Sequence, residues 1–207
     1  PSQDAPVLYE GADLRNYLAQ AENRTYENKD GKLSLVFVGI LAEHKGVHTT
    51  IEALNQLSAE ERSRVHLTIL GKGHEQYAER LRSLVSQYQL PDFVTFQSPI
   101  QRSELPEFLG KFDALLLPSI WAEPLARIMQ EGLACGMVVI GSANGGTAET
   151  IIHGENGLLF QAGDAVDLAK QIKYLLANPH MQHVLADGGV RTAKERFDIN
   201  TMVCEIE

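Results

Sequence analysis

The feature that most restricts the fold is a set of six short apolar runs, residues 33–38, 65–70, 93–96, 114–117, 138–140 and 157–160, most of them apolar at successive rather than alternate positions. A strand with one wet face alternates apolar and polar side chains, whereas a strand apolar on both sides must be covered on both sides. That is the situation of a parallel sheet held between two layers of helices. The stretches between the runs carry helical spacing: Val47, Ile51, Leu54 and Leu57, then Tyr77, Leu81, Leu84 and Tyr88, and later Leu168, Ile172 and Leu175. Strands alternating with helices build βα units with right-handed crossovers. The expected fold is α/β: a Rossmann-like doubly wound sheet of about six parallel strands with helices on both faces.

With 207 residues, 44% of them hydrophobic, the chain can bury one substantial core. Residues 1–32 read as a linker, in which 7–13 form a short strand and turn and 22–32 a polar loop, and residues 33–207 read as the Rossmann-like domain. The last helical pattern, from about residue 180 onward, reaches Glu207 with no Gly or Pro stop signal, so the chain reads as part of something longer. A formal charge of −9, from 18 basic and 27 acidic residues, makes nucleic acid or an anionic membrane a poor default partner, and an anionic ligand would need local cations. The longest apolar run, residues 35–41, is far short of the roughly 20 a membrane helix needs, so no intrinsic membrane segment is expected. Cys135 and Cys204 lie far apart, which suits reduced thiols and a cytoplasmic location.

Ligands of open parallel sheets bind outside the carboxyl ends of the strands. There the sequence places Gly39 and, after it, Lys45-Gly46; Gly71-Lys72-Gly73; the segment from Pro118 through Glu123-Pro124; and Asn144-Gly145-Gly146-Thr147. Proline favours the first helical turn. A helix is therefore expected to start just after Glu123, with the N–H groups of Leu125, Ala126 and Arg127 unpaired and suited to an anion such as a diphosphate. Glu131, two turns in and flanked by small residues, would face the sheet edge and need partners there. Gly71-Lys72-Gly73-His74-Glu75-Gln76 begins like a dinucleotide fingerprint but has Gln76 in place of the third glycine, which disfavours an oxidoreductase.

Residues 123–140, Glu-Pro-Leu-Ala-Arg-Ile-Met-Gln-Glu-Gly-Leu-Ala-Cys-Gly-Met-Val-Val-Ile, resemble the Glu-x7-Glu signature of retaining GT-B glycosyltransferases of family 4. The Val38-Gly39 strand end with Lys45-Gly46, the 70–73 turn, the 144–149 loop and the 154–160 segment fall in that family's order. The resemblance covers roughly residues 7–203 and corresponds to the C-terminal, nucleotide-sugar-binding half of such enzymes. It implies transfer of a hexose-type sugar from a nucleotide diphosphate sugar, UDP first with GDP or ADP as alternatives, to an acceptor hydroxyl. The acceptor, a glycan, lipid or small molecule, would come by way of an N-terminal domain. Residue by residue, it implies Glu123 for the sugar hydroxyls, Glu131 for the ribose and Lys45 for the diphosphate. Leu125 and Ala126 would offer main chain to sugar or phosphate, and Gly39, Gly71, Gly73 and the 97–100 loop ending in Ile100 would line the pocket. No Asp-x-Asp motif stands in a suitable loop, so neither a metal nor any other cofactor is expected. Two positions depart from the family pattern: Ile40 where an arginine usually supplies a second diphosphate cation, and Ala126 where glycine is common. They are the support for the alternative, a degenerate nucleotide-sugar-binding or regulatory module without transferase activity.

Overall fold

The computed structural model describes residues 12–24 and 31–197. In chain order these form α1 (Arg15–Glu22), β1 (Leu33–Val38), α2 (Val47–Asn55), α3 (Ala59–Ser63), β2 (Val65–Leu70), α4 (Glu75–Gln87), β3 (Val94–Gln97) and α5 (Leu105–Leu109). There follow β4 (Ala114–Leu117), α6 (Arg127–Ala134), β5 (Val138–Ser142), α7 (Gly145–Thr150), β6 (Leu158–Phe160), α8 (Ala165–Ala177) and α9 (Pro179–Arg196). Short 3-10 turns stand at Glu43–Lys45 and Arg102–Glu104. Most of the strand and turn expected over 7–13, and the end of the last helix with Cys204, lie outside the described residues.

The strands make one sheet in the order β3-β2-β1-β4-β5-β6, every pairing parallel. Successive side chains of one strand go to opposite faces, and both faces are buried. Ala114, Leu116, Val138 and Ile140 join the core under α2, α4 and α8, while their neighbours Leu115, Leu117 and Val139 join the core under α1, α5 and α6. This two-sided cover is why the strands read as continuous apolar runs. At the amino end of the central pair, Asp113 accepts from Ser34 N at 2.7 Å and Ser34 Oγ at 2.6 Å, pinning β1 beside β4 in the register Leu35 opposite Ala114. Among the described residues no helix is long and apolar enough to cross a membrane.

Helix α1 has little sequence signature: Leu14 gives it no side-chain cap, its first turn has no acid and its last no base, and among its residues Tyr17 alone is buried. Tertiary contact, rather than propensity, makes it a helix. Just past its end the Arg24 guanidinium donates to the carbonyls of Phe112 at 2.7 Å, Cys135 at 3.2 Å, Leu109 at 3.3 Å and Gly110 at 3.4 Å, which ties the segment to the ends of α5 and α6.

These bonds predict that Arg24→Ala lowers the unfolding free energy by about 1–3 kcal/mol, read as a lower urea midpoint with unchanged slope. Arg24→Lys should recover little, because a point ammonium cannot span carbonyls that a planar fork reaches together. An unchanged midpoint would mean that the segment does not share in the fold's stability.

Candidate functional site

The chain runs outward from β1 to β2 to β3 and then returns to place β4 beside β1. Helices α2 and α6, which follow β1 and β4, pack on opposite faces of the sheet and leave a crevice above the carboxyl ends of these two strands. Two loops close over it. Gly46 adopts the left-handed conformation, φ 65°, and a side chain there would meet the Pro118 carbonyl oxygen at 1.9 Å, so the β1 exit can lie directly on the β4 exit. Ile120 N donates to the His44 carbonyl at 2.9 Å, and the rings of His44 and Trp121 meet edge to face at 5.9 Å.

This packing brings Lys45 and Glu123 together from 78 positions apart: Lys45 Nζ lies 2.6 Å from Glu123 Oε1. Ser119 Oγ donates to the other oxygen of Glu123 at 3.1 Å. Both members of the pair are about four-fifths shielded, with side-chain exposures of 21% and 23%. The carbonyl of Ser119 is itself held by Ser142 Oγ at 2.7 Å and Asn144 Nδ2 at 3.2 Å. From the β5 exit, Gly146 N donates to the Glu123 carbonyl at 2.8 Å, and a side chain at Gly146 would sit 1.7 Å from the Pro124 oxygen.

The helix expected after Glu123 starts later, at Arg127, with Ala126 extended at its N-cap. A residue before proline is pushed away from helical backbone, and Glu123 is tied instead to another loop, its carbonyl accepting from Gly146 N. Pro124 therefore stands at a bend ahead of the helix, and the free helical N–H groups begin beyond Leu125 and Ala126. Glu131 sits in the second turn of α6, only 2% exposed. Its partners are the Arg102 guanidinium, from the turn after β3, and the Tyr17 hydroxyl from α1. Burial holds the Glu131 carboxyl above the usual carboxylate range, although Arg102, Tyr17 and Arg127 all favour the charged form. Burial and the neighbouring Glu131 push the Tyr17 phenol up to about 12.

Two adjoining cavities occupy the crevice. One of about 530 Å³ is lined by Gly39, Lys45, Ser119, Glu123, Ala126, Arg127 and Glu131, among others. The other, of about 350 Å³, opens toward β2 and is lined by Gly39, Gly71, Lys72 and Ile100. Val38, Gly39, Ile40, Arg102 and Leu105 border both. Of the expected residues, Gly73 and Leu125 border neither. The glycines after β2 also serve a different contact from the one expected: a side chain at Gly71 or Gly73 would meet the Gly39 or Leu41 carbonyl oxygen at 1.9 or 2.0 Å, so the close approach is between the β2 and β1 exits. Arg102, Tyr17 and Ser119 are site residues to which sequence reasoning gave no role. A signal did exist for Arg102, since Gln101 and Glu104 form a capping box that fixes its turn.

Residues 19–191 match the family model described as Glycosyl transferases group 1. The spore coat protein SA of Bacillus subtilis is 29% identical over 92% of this chain and 54% of its own length. The D-inositol 3-phosphate glycosyltransferase of Frankia alni is 30% identical over 90% of this chain and 48% of its own. As a fold, the chain superposes on Anabaena HepE, solved in complex with UDP, with a TM-score of 0.84 at 24% identity, covering 97% of this chain and 56% of that one. The chain thus spans about half the length of the curated relatives it matches.

The environment of Glu131 yields a pH prediction. A carboxyl whose pKa is higher in the folded than in the unfolded chain makes folding take up a proton, so stability falls as pH rises from the ordinary carboxylate range to the raised value. Glu131→Gln removes that contribution. Denaturation at a series of pH values from about 4 upward should show the variant gaining on the parent as the Glu131 carboxyl of the parent titrates, and the difference between them becoming constant once that carboxyl is charged. Parallel curves would mean that the Glu131 carboxyl titrates as if it were in water.

Proposed function

Because the chain belongs to the group 1 glycosyl transferases, we propose that it is the donor-binding domain of a retaining, metal-independent glycosyltransferase that moves a hexose-type sugar from a nucleotide diphosphate sugar to an acceptor hydroxyl. The observation that carries this reading is the Lys45–Glu123 pair, set in a cavity of about 530 Å³ at the strand-order reversal of the sheet. Phosphates and sugar hydroxyls ask for different partners, a cation and a carboxylate, and here the two stand side by side.

In this reading Lys45 turns to the diphosphate and compensates the charge that develops as the sugar leaves, while Glu123, steadied by Ser119, takes the sugar hydroxyls. Glu131 takes the ribose hydroxyls, and the base lies toward Gly71 and Ile100. Catalysis is then positioning and electrostatics, with no metal required. UDP is the first nucleotide to test, supported by the solved complexes of Anabaena HepE with UDP and with UDP-glucose; GDP and ADP are the alternatives. Residues 1–32 are the linker and 33–207 the donor domain, with the acceptor glycan, lipid or small molecule held by an N-terminal domain in a cytoplasmic enzyme. One observation favours the second reading, a module that holds a nucleotide sugar without transferring it: Ile40 is 61% exposed at the border of both cavities and carries no charge.

Thermal-shift and calorimetric titration with UDP, GDP, ADP and their sugar conjugates, with and without magnesium, tests the proposal. One nucleotide should bind without metal, adding about 2.7 kcal/mol of stability at 100 times its dissociation constant. Binding should vanish in Glu131→Ala and weaken by about 10-fold or more in Lys45→Ala. Silence across the panel, or strict dependence on magnesium, would overturn the donor site. The chain alone should transfer little sugar, and rapid turnover onto an acceptor would overturn the division into two halves.

A further inference from the structure

The central cavity holds more cation than that reading uses. Lys45, Arg102 and Arg127 share it with Glu123 and Glu131. Each carboxylate is already occupied, Glu123 by Lys45 and Glu131 by Arg102. Arg102 stands where the two cavities meet and borders both. It is also the solvent-facing member of its pair, its side chain 62% exposed against 3% for Glu131. Its backbone is fixed by the capping box, Gln101 N donating to Glu104 Oε2 at 2.9 Å, so the guanidinium turns on a steady stem. Ile40, which borders the same two cavities, offers no charge of its own.

On the donor-site reading, on which this rests, we infer that Arg102 is the second diphosphate cation of the pocket, held on Glu131 in the free chain and passed to the diphosphate when the ribose hydroxyls take Glu131. The exchange keeps every group partnered. Glu131 is too deeply buried to be left to the Tyr17 hydroxyl alone, because a buried carboxylate short of partners is costly. Arg102 therefore leaves only when hydroxyl donors replace it, and once released it lies at the junction of the cavities, beside the place where the diphosphate must run from base to sugar. Lys45 makes the parallel move, giving Glu123 to the sugar hydroxyls. A nucleoside alone must displace Arg102 with nothing anionic to receive it, and pyrophosphate alone must draw Arg102 away from a buried carboxylate. Ribose and diphosphate binding are thereby coupled through one side chain.

Calorimetry on this chain and on Arg102→Gln, with UDP and uridine, GDP and guanosine, and ADP and adenosine, tests the inference. For the nucleotide that the parent binds, the variant should lose about 10-fold or more in diphosphate affinity while its nucleoside binds as well or better, because Glu131 is no longer held by a cation. Adding Ile40→Arg to Arg102→Gln should restore diphosphate affinity from the neighbouring wall. A measurement that needs no variant is the effect of the nucleoside on inorganic pyrophosphate binding to the parent chain, where about 3-fold or greater enhancement is expected. Equal losses for nucleoside and diphosphate, an unchanged diphosphate affinity, or independent binding of nucleoside and pyrophosphate would each overturn the hand-off while leaving the donor site in place. A parent chain that binds no nucleoside diphosphate overturns the donor-site reading and this inference with it.

Discussion

The reversal of strand order between β1 and β4 is the constraint on which the rest of the molecule depends. Crossovers between parallel strands are right-handed. A chain that winds outward through β2 and β3 and then returns to the middle must therefore send its next helices to the other face. Helix α2 covers one face and α6 the other, and among the described residues no helix or strand covers the gap above the two central strands. Lys45, Ser119, Glu123 and Arg102 stand on the loops and turns around that gap, and Glu131 reaches it from α6.

What turns the gap into a site is direct backbone packing between those loops. The β1 exit rests on Pro118 through Gly46, and the β5 exit rests on Pro124 through Gly146. Side chains at either glycine would hold the loops apart and separate Lys45 from Glu123. The charges follow from this closeness: two acids and three bases share one concave surface, and each acid has found a base. Each pairing satisfies the free protein, and in the proposed reading each is exchanged for a ligand that carries hydroxyls and phosphates together.

The sheet was legible because burial on both faces writes itself into consecutive positions: Leu115 and Leu116 point to different cores and both must be apolar. The motif residues were legible as residue types in loops of the right order. Their contacts were less so. Lys45 and Glu123 are 78 positions apart, and their pairing depends on how two loops settle on each other. The start of α6 was misplaced because the fixed φ of Pro124 suits a bend before a helix as well as a first helical turn, and the residue before it is held by Gly146 from another loop. Helix α1 went unread because it has neither caps nor an apolar stripe, and its one buried side chain, Tyr17, finds its partner on α6. Arg102 looked like any exposed base, and its meaning lies in Glu131, which is buried beneath it.

The pairing of β1 with β4 has a bearing on how the molecule assembles. Ser34 and Asp113, which fasten that seam, are 79 positions apart, so closing it orders a long stretch of chain that β1, β2 and β3 together must first shorten. Each half of the sheet is built from near neighbours, whereas the junction of the halves is not, and contacts of long sequence separation are the slow ones to form. The crevice exists only after that junction has closed. A molecule gripped from both sides of it is therefore a clasp as well as a cargo, holding shut the joint at which the two halves of the sheet meet.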